Sequence, residues 1–155
     1  MRVKILGPAI FLALLSGCST TASLFPVEGP LAKLSPPPVL EATVDGIMGN
    51  TGNIFLDLPD GEIRKGRWSS LAPVHVKYSS ASASGNATSG LAALWASVYG
   101  SGYSIENVPG VNKGEAMLVC NHGTVMQVEF LTGSGTANGT GVAKDNKGNT
   151  FKVLF

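Results

Sequence analysis

The chain has few charged residues, few histidines and few cysteines, and each shortage narrows what it can do. Charged side chains make up 14% of its 155 residues and the formal net charge is +1, so charge gives no reason to expect a nucleic-acid partner or an acidic-membrane surface. Two histidines and two cysteines provide no spacing typical of a zinc finger or a zincin. We therefore expect no metal site, no cofactor and no nucleic-acid partner.

Small and polar residues are abundant instead. The chain contains 20 glycines, and Gly, Ser, Thr and Asn must supply most of its surface and turns. This composition is typical of extracytoplasmic proteins and of many short strands rather than helices. The length suits one domain with one modest core.

The N-terminus carries a targeting pattern. Arg2 and Lys4 precede the apolar run Ile5–Leu15, which is too short to span a membrane and has the form of a signal-peptide core. The run ends in Leu15-Ser16-Gly17-Cys18, which resembles the lipobox of bacterial lipoproteins. That resemblance implies that residues 1–17 are a signal peptide and that Cys18 is lipidated at its thiol. An ordinary signal peptide cut near Gly17, or an uncleaved apolar N-terminus, is the alternative.

The lipobox resemblance has consequences for location. Lipoproteins usually gain a third acyl chain, and two or three chains make a durable anchor, so the expected partner is a membrane of the cell envelope. Ser19, rather than Asp, follows the lipidated position and favours the outer membrane if the source has two membranes. With Cys18 modified, Cys120 is the only thiol left and no internal disulfide can form.

Residues 18–39 are predicted to form a tether and residues 40–155 a β domain. The tether is rich in Ser and Thr and then in proline, including Pro36-Pro37-Pro38, which favours an extended polyproline II spacer. The alternative is a tail packed along the domain through its apolar side chains, Leu24, Phe25, Leu31 and Leu34.

The β domain is predicted to contain about eight short strands and one helix. Alternating apolar residues and turn signals predict strands over 42–48, 53–58, 62–68, 74–78, 115–120, 125–131, 140–144 and 150–155. The turn compositions Pro59-Asp60-Gly61 and Asp145–Asn149 predict that 53–58 pairs with 62–68 and 140–144 with 150–155 as hairpins. Within the last strand, Phe151, Val153 and Phe155 are expected to share one face. The helix prediction comes from apolar residues at spacings of three and four, Leu91, Leu94, Trp95 and Val98. Because open strand edges invite aggregation, we expect an antiparallel sandwich or a small closed barrel.

Residue types that could support catalysis are sparse. Cys120 and His122 could act as a thiol with a base, but a buried cysteine beside a turn histidine is the favoured interpretation. His75 lies on a different predicted strand. The segment Asp145–Asn149 has some likeness to a calcium loop, but its composition is better explained by a hairpin turn. We expect no enzymatic activity, with a thiol enzyme using Cys120 as an alternative.

One compact group of basic and aromatic residues could bind a partner. Arg64, Lys65, Arg67 and Trp68 lie on one predicted strand, and arginine forks and tryptophan faces suit a glycan, a lipid headgroup or an acidic envelope protein. The alternative is a solvated strand face with Trp68 in the core.

The domain also has two further resemblances. A small β domain on a lipid anchor is similar in plan to membrane-bound lysozyme-inhibitor lipoproteins, and Ser82-Ala83-Ser84-Gly85 resembles their Ser-rich inhibitory loop, although those proteins carry a disulfide. The run Gly139–Asn149 looks like the tail of small lipoproteins of unassigned activity. The expected function is therefore a non-enzymatic binding or interaction role at the envelope membrane. An inhibitor of a cell-wall hydrolase, acting through residues 79–89, is the alternative.

Overall fold

The structure is a computed structural model that describes residues 18–58, 61–70, 91–100, 110–120 and 123–155. It contains eight strands: β1 (Ser19–Glu28), β2 (Leu40–Asp45), β3 (Thr51–Asp57), β4 (Ile63–Ser70), β5 (Val111–Cys120), β6 (Val125–Gly133), β7 (Gly139–Asp145) and β8 (Thr150–Leu154). Among the described residues, a helix, α1 (Leu91–Tyr99), precedes β5, and a 3-10 turn (Leu31–Lys33) follows β1.

The eight strands form one closed antiparallel barrel. Each strand pairs with the next one along the described chain, and β8 pairs with β1. This confirms the predicted fold class and selects the barrel over the sandwich. Closure leaves no strand of the barrel with an unpaired edge, which removes the aggregation hazard of an open sheet.

Alternation along the strands separates an apolar interior from a more polar exterior. Residues that alternate on one face of each strand point inward and are buried, as expected for a pleated strand with a period of two. The interior includes Ala22, Leu24, Leu40, Ala42, Val44, Ile54, Leu56, Trp68, Ala116, Leu118, Met126, Val128, Phe130, Ala143, Phe151 and Val153. An eight-stranded barrel is wide enough for its interior to be filled by side chains or to hold one small ligand.

The predicted tether is wrong for Ser19–Glu28, which forms the barrel strand β1. This strand hydrogen-bonds to β2 on one side and to β8 on the other, so it is the element that closes the barrel. Ala22 and Leu24 point inward and are almost fully buried. The alternation of apolar and polar residues along β1 is weak because its inward positions are mostly small or polar. Pro26 also favours an extended spacer over a strand.

Proline is tolerated in β1 because of its position. The pairing of β1 with β8 shifts register between Pro26 and Glu28, and such irregularities accommodate a residue that has no N–H to donate. The folded domain therefore begins at Ser19 rather than near Leu40.

The predicted hairpins are confirmed. Asp57 at the end of β3 pairs with Ile63 at the start of β4, across the turn predicted from Pro59-Asp60-Gly61. Strands β7 and β8 are joined by the predicted turn, in which Gly148 has a φ of 85°, a left-handed conformation that favours glycine. The predicted strand 74–78 lies outside the described residues.

Helix α1 packs on the outside of the barrel. Leu94 and Trp95 are buried against Leu131 and Val142, which point outward from β6 and β7. The described apolar side chains of the helix therefore lie on the sheet, as they must for so short a helix to persist. Within the described residues, we find no helix with the length and apolarity needed to traverse a lipid bilayer.

Candidate functional site

The barrel encloses an apolar cavity of about 90 Å³. In the described part of the chain, the cavity reaches the barrel end at which β1 begins, called here the open end, where Thr20, Ser70, Thr132 and Thr136 lie around the mouth. Its deeper wall is formed by aliphatic side chains, including Leu24, Leu56, Leu118, Met126 and Val128. None of its lining residues among the described part of the chain is charged.

The cavity exists partly because two facing interior positions carry small side chains. Ala22 on β1 pairs directly with Ala42 on β2, and both line the cavity. Larger residues at these positions would fill the space, since an eight-stranded barrel leaves little interior beyond its own side chains.

Three aromatic rings lie near the mouth. Trp68 and Phe130 make an edge contact with ring centroids 6.1 Å apart, and Phe130 lies 5.5 Å from Phe155. Nε1 of Trp68 donates a hydrogen bond of 2.8 Å to the backbone oxygen of Asp45, which fixes the indole against the wall. These rings give the mouth a rigid apolar lining above the aliphatic interior.

The opposite barrel end, called the closed end, is filled by a buried ion pair. Arg64 on β4 donates from both terminal nitrogens to Oδ2 of Asp145, at 3.5 Å in each case. Asp145 also accepts hydrogen bonds from the backbone N–H groups of Lys147 and Asn149 and from the Asn149 side chain. Paired and hydrogen-bonded charges can remain buried without neutralisation.

A second carboxylate lies beside this pair. Glu62 accepts hydrogen bonds from Thr124 and from Nζ of Lys147, each at 3.4 Å. Burial acts to raise the pKa of Glu62, but the hydrogen bond and charge of Lys147 outweigh it, so the pKa lies below the ordinary value. The closed end is therefore an electrostatic network that seals the barrel rather than a second opening.

Cys120 belongs to the same region and is only 5% exposed. Burial raises the pKa of its thiol, although Arg64 acts in the opposite direction. Because the thiolate is the nucleophilic form, this environment does not support Cys120 as a catalytic nucleophile. It matches the interpretation of a buried small residue that the sequence favoured.

The four residues of the predicted basic and aromatic group are divided between two faces of β4. Arg64 and Trp68 point into the barrel and are buried, whereas Lys65 and Arg67 are exposed on the outer wall. Val119 and Met117 pair with these two cations across β5 and are also exposed. The structure therefore leaves two cations and two apolar residues on that outer surface.

Several predicted features lie outside the described residues. They are His75, His122, the Ser-rich loop at 79–89 and the signal segment 1–17. Among the residues that are described, no three acidic, histidine or cysteine side chains converge as metal ligands. Cys18, the predicted lipid attachment residue, is described and is exposed.

Sequence reasoning missed the cavity and the buried ion pair. Ala22 and Ala42, small residues at paired inward positions, indicate a cavity. This indication can be used only when β1 is known to be a strand that pairs with β2. Asp145 begins a predicted turn, where aspartate commonly accepts hydrogen bonds from the backbone, so its burial against Arg64 was not expected.

No protein-family model matches this chain, and neither does any curated protein or any solved structure. Its function is therefore inferred from its own residues and their geometry.

Proposed function

We propose that this protein is a lipid-anchored binding protein of the cell envelope, without enzymatic activity, that takes the apolar part of a small molecule into its barrel. The observation that carries the proposal is the apolar cavity of a closed barrel, whose described lining residues are uncharged and which reaches one barrel end. Ligand sites are typically concave and mostly apolar, with a few polar groups that orient the ligand. The hydroxyl groups at the mouth are suited to that orienting role.

The anchor part of the proposal is supported by the sequence. Leu15-Ser16-Gly17-Cys18 follows a basic and apolar segment of signal-peptide form, and Cys18 is exposed immediately before β1. Localisation to the outer membrane is favoured for a source with two membranes. Intact-mass analysis tests this directly: the mature chain should begin at Cys18 and carry acyl mass, and Cys18→Ser should abolish both the added mass and membrane association.

Three other interaction partners have less support. An envelope protein or a glycan could contact the exposed cations Lys65 and Arg67, but surface charges alone contribute little to affinity. Inhibition of a cell-wall hydrolase through residues 79–89 is supported only by the sequence resemblance.

Ligand binding can be tested through the two tryptophans. Trp68 lines the cavity, whereas Trp95 belongs to α1 and packs against the outer wall of the barrel, where its Nε1 donates a hydrogen bond of 2.8 Å to Glu129. A monoacylglycerol that carries bromine in its acyl chain quenches indole fluorescence on contact. Binding in the cavity should therefore quench the Trp95→Phe variant, which retains Trp68, and leave the Trp68→Phe variant bright.

The two variants control for each other. Each retains one tryptophan, and circular dichroism should establish that both are folded. Equal quenching of both variants would indicate non-specific contact, and absence of quenching in both would overturn the proposed binding function.

A further inference from the structure

The proposed lipid attachment residue lies at the same barrel end as the cavity mouth. Cys18 directly precedes β1, whose first residue Ser19 pairs with Asp45 at the end of β2. Thr20, the first inward residue of β1, lines the cavity. This relationship depends on Ser19–Glu28 forming a barrel strand rather than a tether.

The distance between anchor and mouth is short. Thr20 follows Cys18 by two residues, which at about 3.3 Å per extended residue is roughly 7 Å. An acyl group on Cys18 would therefore hold the open end of the barrel at the bilayer surface, without a spacer between them. Attachment of this kind raises the effective concentration of membrane components at the mouth.

We propose that the ligand is a membrane lipid, and that the terminal part of one of its acyl chains enters the cavity from the bilayer while the headgroup stays at the rim. This inference rests on the proposed function and names its ligand. It also gives the open end an orientation, facing the membrane to which the chain is anchored.

The order of polar and apolar lining residues fits such a ligand. Side-chain hydroxyls occur only at the mouth of the described cavity, on Thr20, Ser70, Thr132 and Thr136. Below them the lining is aromatic and then aliphatic. A molecule with one polar end and one apolar chain matches this gradient. Since the described lining residues are all uncharged, they disfavour a buried carboxylate or ammonium group.

The size of the cavity limits the ligand to one chain. About 90 Å³ is smaller than an engineered apolar cavity of about 150 Å³ that binds one benzene molecule. The terminal methylenes of a single chain fit this space, whereas two parallel chains or a fused ring system do not. The Arg64–Asp145 pair occupies the closed end, so a chain cannot pass through the barrel.

The driving force differs from that of binding from water. A lipid chain in a bilayer is already in an apolar environment, so moving it into the cavity gains little from the hydrophobic effect. Occupying an empty apolar cavity, however, restores dispersion contacts that the lining residues otherwise lack. The anchor keeps this modest gain effective by holding the mouth beside the lipid.

The test uses the full acylated chain with Trp95→Phe, bound to phosphatidylcholine vesicles brominated on the distal half of their acyl chains. Compared with unbrominated vesicles, these vesicles should reduce the fluorescence of Trp68. Adding Ala42→Leu, which fills the cavity from β2, should abolish that loss. Thr43→Leu is the matched control, because Thr43 is the next residue along β2 but is exposed on the outer face. This control variant should still show the reduced Trp68 fluorescence.

The remaining outcomes of the quenching experiment also test the proposal. Equal quenching with Ala42→Leu and Thr43→Leu would show only that the mouth lies near the bilayer, and it would overturn chain uptake. Absence of quenching by vesicles, while a free brominated monoacylglycerol still quenches the Cys18→Ser chain, would overturn the membrane-lipid inference and leave the proposed binding function standing. If the free probe quenches the Cys18→Ser chain but not the acylated chain, the protein's own anchor occupies the cavity and the inference is wrong.

A second substitution guards against misfolding. Ala22→Leu reduces the same space from β1, because Ala22 pairs with Ala42. A thermal unfolding measurement on each leucine variant establishes whether the barrel remains folded. If both folded variants are still quenched, the acyl chain does not enter the cavity.

Discussion

The guanidinium of Arg64 lies 3.5 Å from the carboxylate of Asp145, and their side chains are 2% and 0% exposed. The two residues are separated by 81 positions in the chain and meet only because β4 and β7 belong to the same barrel. Their pairing fills one end of the barrel interior. The cavity lies toward the other end. It also makes the closed end sensitive to the loss of either charge.

Replacement of Asp145 by Asn should destabilise the protein strongly. The variant removes the carboxylate that is hydrogen-bonded to the buried Arg64 guanidinium and leaves only the charge of Glu62 nearby. Breaking a buried pair in this way costs about 3–5 kcal/mol. Urea unfolding followed by circular dichroism measures the change in the free energy of unfolding. Asp57→Asn, at an exposed aspartate of β3, is the control and should change it by no more than about 0.5 kcal/mol.

The double variant Arg64→Met with Asp145→Leu should be more stable than Asp145→Asn. Replacing both charges removes the desolvation penalty as well as the attraction, and apolar replacements of buried pairs are often neutral or stabilising. The same unfolding experiment tests this. A double variant as unstable as the single one would mean that the hydrogen bonds from Asn149 and Lys147 to Asp145, rather than the charge, hold the turn.

Cys120 should react slowly with iodoacetamide in the folded protein. Its burial and its raised pKa both lower the amount of accessible thiolate. The Cys18→Ser chain isolates this thiol, and labelling should become fast only in denaturant. Adding Thr43→Cys to Cys18→Ser provides an exposed thiol as a control for rapid labelling. If Cys120 in the folded protein were labelled as rapidly as this exposed thiol, the thiol-enzyme alternative would be supported.

Gly66→Ala should destabilise the barrel through a backbone clash. A Cβ at this inward position of β4 would lie 2.0 Å from the backbone oxygen of Met117 on β5, so one of the two strands would have to move. We expect a loss of about 1–3 kcal/mol, the usual cost of overpacking, measured by urea unfolding. Gly49→Ala is the matched control, because its nearest contact would be an ordinary 3.5 Å.

Glu62 should contribute a pH-dependent part of the stability. Its pKa in the folded protein is lowered from 4.5, against the effect of burial, by Lys147. A lowered carboxyl pKa stabilises the folded state above the unfolded value, and this contribution is lost as the pH falls through the folded pKa. The stability difference between the parent chain and Glu62→Gln should therefore be constant above pH 4.5 and shrink below it.

The control for that pH dependence is Lys147→Met, which removes the cation bonded to Glu62. It should weaken the acid sensitivity that Glu62 confers. The free energy of unfolding of the parent chain and of Glu62→Gln is measured from neutral pH to well below 4.5. If the difference between the two stays constant over that range, the lowered pKa of Glu62 is contradicted.

Local patterns predicted much of the barrel. The hairpins β3–β4 and β7–β8 were accessible because their turns carry proline and glycine at characteristic positions, and the inward face of β8 followed from Phe151 and Val153 alternating with Lys152. β1 was missed because Thr20 and Ala22 are weak markers of an inward face. Its identity depends on pairing with β8, more than 100 residues away, which no local pattern encodes.

The sequence by itself determined the strand-rich composition, the hairpins, the amphipathic helix and the lipobox-like segment ending at Cys18, because each depends on neighbouring residues. Only the tertiary structure decided that the strands close into a barrel, that Arg64 points inward to Asp145, and that Ala22 and Ala42 leave a cavity beside the mouth. These features require strands distant in the chain to share one interior. Burial and charge pairing across that interior depend on barrel closure, which fixes which side chains face each other.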